Sequence, residues 1–313
     1  MNDKLKKVIR GIKFYLQNSC FINKDSIRCY NFWSGANEKN LWFTQSIIEH
    51  SNIKLPVNFY SVFGDINKVM WDNKTKIFFT GENLENYPEY KDYNYLNLFD
   101  LYIGFDNINH PNYLRLPLWI LYYFNTNDTI DTIKNKILLI ENKKSFSSFN
   151  SRDFCCMVAS HDKNGLREIV FSKISKFHSV SSGGNLLNNT NDLQIKFADN
   201  KLNYLSNFKF NIALENSNSQ FYTTEKIFDS IFAGCIPIYW GSMGNPEPEI
   251  LNQKRIIFFD EERDGFNMTN TIDTLINNPA ELKAFYELPV FSENAAEEIY
   301  KIINCYNDKL KYI

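Results

Sequence analysis

Apolar positions along this chain fall into short runs that end at Gly, Ser, Asn or Thr, with amphipathic stretches between them. Runs of this kind bounded by turn residues predict buried strands, and the stretches between them predict helices. In the first half, strands are predicted at residues 26–33, 57–63, 76–80 and 98–105. The first of these runs into Ser34 and Gly35, and the third into Gly81. Helices are predicted at 42–51 and over the apolar segment 115–125. Residues 141–152 are polar, with Lys143, Lys144 and several serines, and read as a linker. A second set follows, with strands at 154–159, 179–184, 210–214, 236–240 and 255–259. Its helices are predicted at 165–177, 201–207 and 224–233, with a terminal helix at 293–309. Strands alternating with helices in two blocks predict an α/β protein of two facing, doubly wound, Rossmann-like domains. Residues 1–148 would form the first domain and 149–313 the second, with the terminal helix a candidate to pack back on the first. Ligands of such sheets bind beyond the carboxyl ends of the strands, so a cleft between the blocks is the expected site.

Composition narrows the function classes. The 313 residues are 44% apolar and 22% charged, enough to bury a core and too apolar for a disordered chain. A net charge of −2 argues against a nucleic-acid binder. No apolar run is long enough for a transmembrane helix. Lys4, Lys6, Lys7 and Arg10 stand where a signal peptide would need apolar residues, so the N-terminus reads as a surface helix, with peripheral membrane contact as the alternative. The six cysteines form no C-x-x-C pair and read as reduced thiols of a cytoplasmic protein. His50, His110, His161 and His178 are isolated from one another, and no metal-ligand spacing or Asp-x-Asp pair occurs. A diphosphate would then have to be met by protein cations and helix ends. The 42 asparagines read as genome bias. The 16% aromatic content is more ambiguous, because aromatic faces also bind sugars; Trp33, Phe43, Tyr60, Trp71 and Trp119 are the candidates, with core packing the plainer role for each.

The segment richest in chemistry begins where an apolar run ends in Glu215-Asn216. A polar loop follows, and a helix opens at Thr223 or Thr224, either of which suits an N-cap. First-turn N–H groups and the helix dipole favour an anion there, and Lys226 lies in the same turn. Glu225 can accept from ribose hydroxyls, and Tyr222 and Asn216 can contact phosphate or ribose. Read by themselves, these residues fit an ordinary capped helix start equally well.

The wider pattern resembles the α-1,3/4-fucosyltransferases, glycosyltransferase family ten. Leu214-Glu215-Asn216, Tyr222-Thr223-Thr224-Glu225-Lys226 and Ile236-Pro237-Ile238-Tyr239-Trp240-Gly241 are similar to that family's donor-binding motif. Thr80-Gly81-Glu82-Asn83, the stretch from Asp100 to Asp106, Tyr113-Leu114-Arg115-Leu116-Pro117 and the pair Phe32-Trp33 resemble its first domain. The resemblance implies the GT-B architecture, with an acceptor-binding first domain and a GDP-fucose-binding second. It implies Glu82 as general base, Glu225 on the ribose and Lys226 on the diphosphate. Glu215, Asn216, Tyr222, Thr224, Arg167 and Asn188 join the donor set, and Trp33, Asn83 and Arg115 the acceptor set. For Arg115 and Asp106 a salt bridge is the plainer role. One position departs from the family: its glycine motif carries an arginine toward the diphosphate, and here Gly183-Gly184 leads to Asn188. A neutral amide is the weaker partner, and Arg152, Arg167 or Lys196 would have to compensate. The implied activity is inverting transfer of L-fucose from GDP-fucose to O3 of GlcNAc or Glc in an acceptor such as N-acetyllactosamine, giving Lewis-type glycans. No cofactor is required, and a divalent ion is a candidate stimulator. The alternatives are another GT-B nucleotide-sugar transferase and a catalytically impaired glycan- or nucleotide-binding relative.

Overall fold

The structure, a computed structural model, describes residues 20–23, 27–33, 41–50, 57–64, 75–90, 96–142 and 145–313. The basic N-terminal run, Ser34, Gly35, Trp71, Lys143 and Lys144 lie outside them. By contacts the chain divides into two units, Met1–Asp128 with Tyr300–Ile313, and Thr129–Ile299. The boundary falls before the polar stretch that the sequence marks as a linker. Most of that stretch is ordered as the end of helix Ile130–Asn142 and the short helix Phe146–Asn150.

The first unit is built on a six-stranded sheet: β1 (Cys20–Asn23), β2 (Ile27–Tyr30), β3 (Val57–Tyr60), β4 (Thr75–Phe79), β5 (Leu101–Gly104) and β6 (Tyr113–Arg115). The strands lie in chain order; β2 to β6 are parallel and β1 is antiparallel. β3 and β5 are buried at every position, as parallel strands covered on both faces should be. The aromatic load is largely core. Phe43, Tyr60 and Trp119 are buried, and rings pack at tilted angles in series from Phe79 through Phe43 and Phe32 to Trp33. The last residues belong to this unit: Tyr306 is buried against Trp42 and donates to the Phe43 carbonyl at 2.7 Å. The apolar segment predicted as one helix begins instead as strand β6, and Pro117, unable to donate to a ladder, separates it from helix Leu118–Tyr123.

The second unit carries a five-stranded parallel sheet: β7 (Asp153–Met157), β8 (Val180–Ser182), β9 (Phe208–Leu214), β10 (Ile236–Trp240) and β11 (Ile257–Phe258). Its spatial order is β11-β10-β9-β7-β8. The order reverses between β7 and β9, the arrangement of flavodoxin-like sheets, and ligands of such sheets bind at that switch point. Val170 and Ile174 from helix Leu166–Ile174 and Met268, Ile272 and Leu275 from helix Phe266–Asn277 join β9 and β10 in the main core. Cys155, Cys156 and Cys235 are buried, unbridged thiols.

Candidate functional site

The switch point is where the second unit concentrates its polar side chains. β9 ends at Leu214, and Glu215 turns inward to become almost fully buried. Its carboxylate accepts from Thr224 N at 2.8 Å, Thr224 Oγ1 at 2.6 Å, Lys226 Nζ at 3.1 Å and Tyr239 OH at 3.4 Å. Glu215, expected among the donor contacts, is therefore taken up by the protein. Thr224, expected as a cap and a donor contact, is also engaged by the protein. It does precede the helix Glu225–Phe232, yet its hydroxyl makes no cap bond. That hydroxyl donates to Glu215 and accepts from Lys226 Nζ at 2.9 Å. What the helix start offers a ligand is the lysine ammonium. Burial would lower the Lys226 pKa, but Glu215 and Glu225 hold it above the ordinary lysine range. Burial would raise Glu225, and Lys226 and Lys201 outweigh that and hold it low. Both groups are thus charged at neutral pH.

Arg167 braces the other side of the crevice. It is 6% exposed, and its guanidinium donates to the His161 carbonyl beyond β7, to the Leu214 carbonyl at 2.8 Å and to Asn216 Oδ1 at 2.9 Å. It ties the ends of the two strands that flank the reversal and holds the Asn216 amide by its Oδ1. Tyr222 is 2% exposed, packed beneath the loop, and its carbonyl accepts from Ser242 Oγ at 2.7 Å.

Asn188 is exposed, and its amide donates to the Gly184 carbonyl at 2.8 Å. Gly184 is required by close approach, since a Cβ there would lie 2.2 Å from the Ala159 carbonyl oxygen at the end of β7. Of the three cations that could compensate, Lys196 pairs with Asp192, and Arg152 donates to the carbonyls of Phe208, Ala233 and Gly234 at the opposite, amino end of the strands. Only Arg167 stands at the crevice.

In the first unit, Glu82 lines a cavity of about 500 Å³ walled by Trp33, Trp42, Phe43, Phe63, Phe79 and Tyr122. Trp33 is 38% exposed there, whereas the other described aromatic candidates are core. Buried Thr80 fixes the Glu82 backbone with one hydroxyl, which accepts from Glu82 N at 3.0 Å and donates to Glu82 O at 3.2 Å. Asn83 is buried and caps the short helix Leu84–Asn86 by accepting from Glu85 N. Neither Asn83 nor Arg115 lines the cavity. The Arg115 charge acts on Asp106, but burial dominates and, with Glu85, pushes that carboxyl up to about 6. Among the described residues no cluster of His, Cys, Asp and Glu could hold a metal, and no helix is long and apolar enough to cross a membrane.

Sequence reasoning gives Thr80, Tyr239, Ser242 and Gly241 no individual role, although Thr80, Tyr239 and Gly241 stand within its motifs. The signal for Gly241 is geometric: its φ is 145°, and a Cβ would meet Glu215 Cγ at 2.5 Å.

Two sheets of mainly parallel strands in separate units, one reversing beside a buried ion pair, define the class of two-domain α/β proteins of GT-B type. Residues 27–122 match the α-(1,3)-fucosyltransferase FucT N-terminal domain, and 148–296 match the glycosyltransferase family 10 (fucosyltransferase) C-terminal domain. The chain belongs to glycosyltransferase family ten. It is 28% identical over 271 residues to the α-(1,3)-fucosyltransferase FucT of Helicobacter pylori, a match covering 76% of this chain and 54% of that protein. It is 27% identical over 176 residues to α-(1,3)-fucosyltransferase B of Drosophila melanogaster, covering 53% of this chain and 38% of that one. The chain thus spans about half or less of these relatives' lengths. A crystal structure of an α1,3-fucosyltransferase superposes with TM-score 0.62 at 23% identity, covering 90% of both chains. One of an α1,3-fucosyltransferase with GDP-fucose gives 0.56 at 24% identity, covering 82% of this chain and 79% of that one. These likenesses establish the fold.

Proposed function

We propose that the protein is an inverting fucosyltransferase that moves L-fucose from GDP-fucose to O3 of a GlcNAc or Glc unit, giving a Lewis-type glycan. The observation that carries the reading is the switch-point crevice, where Lys226, Asn216 and Glu225 stand together in a chain of family ten. Lys226 would meet the diphosphate, and Glu225 would accept from the ribose. The relative whose structure contains GDP-fucose supports that donor. In the first unit, Glu82 at the mouth of an aromatic-walled cavity suits a general base beside a sugar face, with Trp33 as the platform.

In the proposed step the acceptor hydroxyl gives its proton to the Glu82 carboxylate. Its oxygen forms a bond to C1 of the fucose. The bond from C1 to the β-phosphate oxygen breaks, and the electron pair leaves with GDP. The Lys226 ammonium meets the charge growing on that oxygen. No resident metal enters the step; a divalent ion travelling with the diphosphate would add to the same stabilisation. A reducing, cytoplasmic compartment is the location this reading carries. Glu82→Gln tests the step. Turnover should fall by about 100-fold or more, the scale of a lost general base, with GDP-fucose affinity unchanged. Near-normal turnover would overturn the assignment.

A second reading has one observation in its favour. Asn188 faces solvent with its amide tied to Gly184, so no guanidinium reaches the diphosphate from that turn. This favours weak donor binding, and in the limit a glycan- or nucleotide-binding relative without turnover. Release of GDP from GDP-fucose in the presence of N-acetyllactosamine separates the two.

A further inference from the structure

We propose that Glu215 is a positioning residue of the donor site, aiming the Lys226 ammonium at the diphosphate without touching the donor itself. The proposal rests on the reading of this crevice as the GDP-fucose site.

The geometry keeps Glu215 away from the donor and in contact with Lys226. An ionised carboxylate has about four acceptor positions. Four protein donors take them: Thr224 N and Tyr239 OH on Oε1, Thr224 Oγ1 and Lys226 Nζ on Oε2. The side chain is fully buried, so a ligand has no access to it. Gly241 is shaped around it, since any larger residue would collide with its Cγ.

Lys226 shows the complementary pattern. An ammonium has three N–H donors and no acceptor. One N–H goes to Glu215 Oε2 and one to Thr224 Oγ1. Glu225 Oε1 is 3.7 Å away, beyond hydrogen-bond reach. The lysine side chain is 22% exposed while Glu215 is 0%. The third N–H is left for the open side. Two buried acceptors therefore fix the direction of the remaining donor. Without them Lys226 would be drawn to Glu225, closing the ion pair and withdrawing both groups from a ligand.

A glutamine at 215 cannot reproduce this arrangement. If its NH₂ takes the Oε1 place, it opposes the Thr224 N–H. If it takes the Oε2 place, the Thr224 hydroxyl can rotate but the lysine donors cannot, and the ammonium is pushed away. An aspartate keeps the charge and is one methylene short.

The test is calorimetric titration of GDP and of guanosine against wild type, E215Q, E215D, K226M and the double variant E215Q/K226M. Glu215→Gln should weaken GDP about tenfold or more and leave guanosine unchanged, because the lysine serves the diphosphate alone. The double variant should be no weaker for GDP than K226M, since the two residues act through one contact. E215D should fall between wild type and E215Q, and it carries the test if E215Q does not fold. Equal losses for GDP and guanosine would make Glu215 merely structural and overturn the proposal. So would additive losses in the double variant, or wild-type GDP affinity in E215D. Wild type that binds guanosine and GDP equally, or neither, would instead sink the donor reading and this proposal with it.

Discussion

Replacing Arg167 by methionine removes the guanidinium that, among the described residues, ties both sides of the switch point. Three acceptors lose their donor: the carbonyls of His161 and Leu214 and the side chain of Asn216. A hydrogen bond to a charged group contributes about 1.5–3 kcal/mol, and a buried acceptor left unsatisfied costs about 1–3 kcal/mol. The contacts share one group and do not add, and methionine recovers some packing, so the net loss is about 3–5 kcal/mol. For a unit of this length each kcal/mol shifts Tm by about 2–4 °C, so the second unit should melt about 6–20 °C lower. GDP affinity should fall as well, because Asn216 loses the contact that orients it. Arg167→Lys keeps the charge without the planar fork and should recover less than half of the loss. Thermal melts with and without GDP read both effects. A methionine variant that melts within about 2 °C of wild type and binds GDP normally would refute the brace.

Three further substitutions probe separate parts of the account. Asn188→Arg restores a cation beside the diphosphate and should tighten GDP-fucose binding about tenfold; unchanged KM would show that this turn does not reach the donor. Thr80→Val removes the hydroxyl that fixes the Glu82 peptide and should lower kcat about tenfold with donor affinity unchanged, which a kcat against KM comparison reads directly. Asp106 is pushed from 3.8 up to about 6, so the folded state binds its proton more tightly than the unfolded chain. Stability is therefore lost as pH rises from about 4 to about 6. Asp106→Asn should add about 1 kcal/mol above pH 7, discounted for the group's partial exposure. That gain should vanish near pH 4 in melts across the range, and a pH-independent gain would contradict the cause given.

The strands were the most legible part of the fold, for a physical reason. Ile236–Trp240 is buried at all five positions, and such runs stand out in any sequence. Cys20–Asn23 did not stand out, because an edge strand of four residues has no pattern to show. The helices Phe266–Asn277 and Pro279–Glu287 passed unread, although Asn278 capping a helix with Pro279 at its first turn was a visible signal. The candidate site divides in the same way. That Lys226 and Glu225 open a helix was legible because Thr224 announces its start, whereas their ligand roles come from the family resemblance. Glu215 entered the expected donor set through the family resemblance alone. It bonds Tyr239, which arrives on a different strand and itself bonds Ser242, and no local pattern carries that information. The Asn188 departure was visible as a missing arginine, whereas its bond to Gly184 could only come from the folded turn.

The central claim is transfer from GDP-fucose with Glu82 as base and Lys226 at the diphosphate. Its most direct measurement is product mass and linkage after incubation with GDP-fucose and N-acetyllactosamine, for wild type and Glu82→Gln side by side. The account predicts an α-linked fucose on O3 of GlcNAc and stoichiometric GDP in the wild type, with both formed about 100-fold or more slowly in the variant. Absence of product and GDP in a wild type that still binds GDP-fucose, across a screen of GlcNAc- and Glc-terminated acceptors, would contradict it.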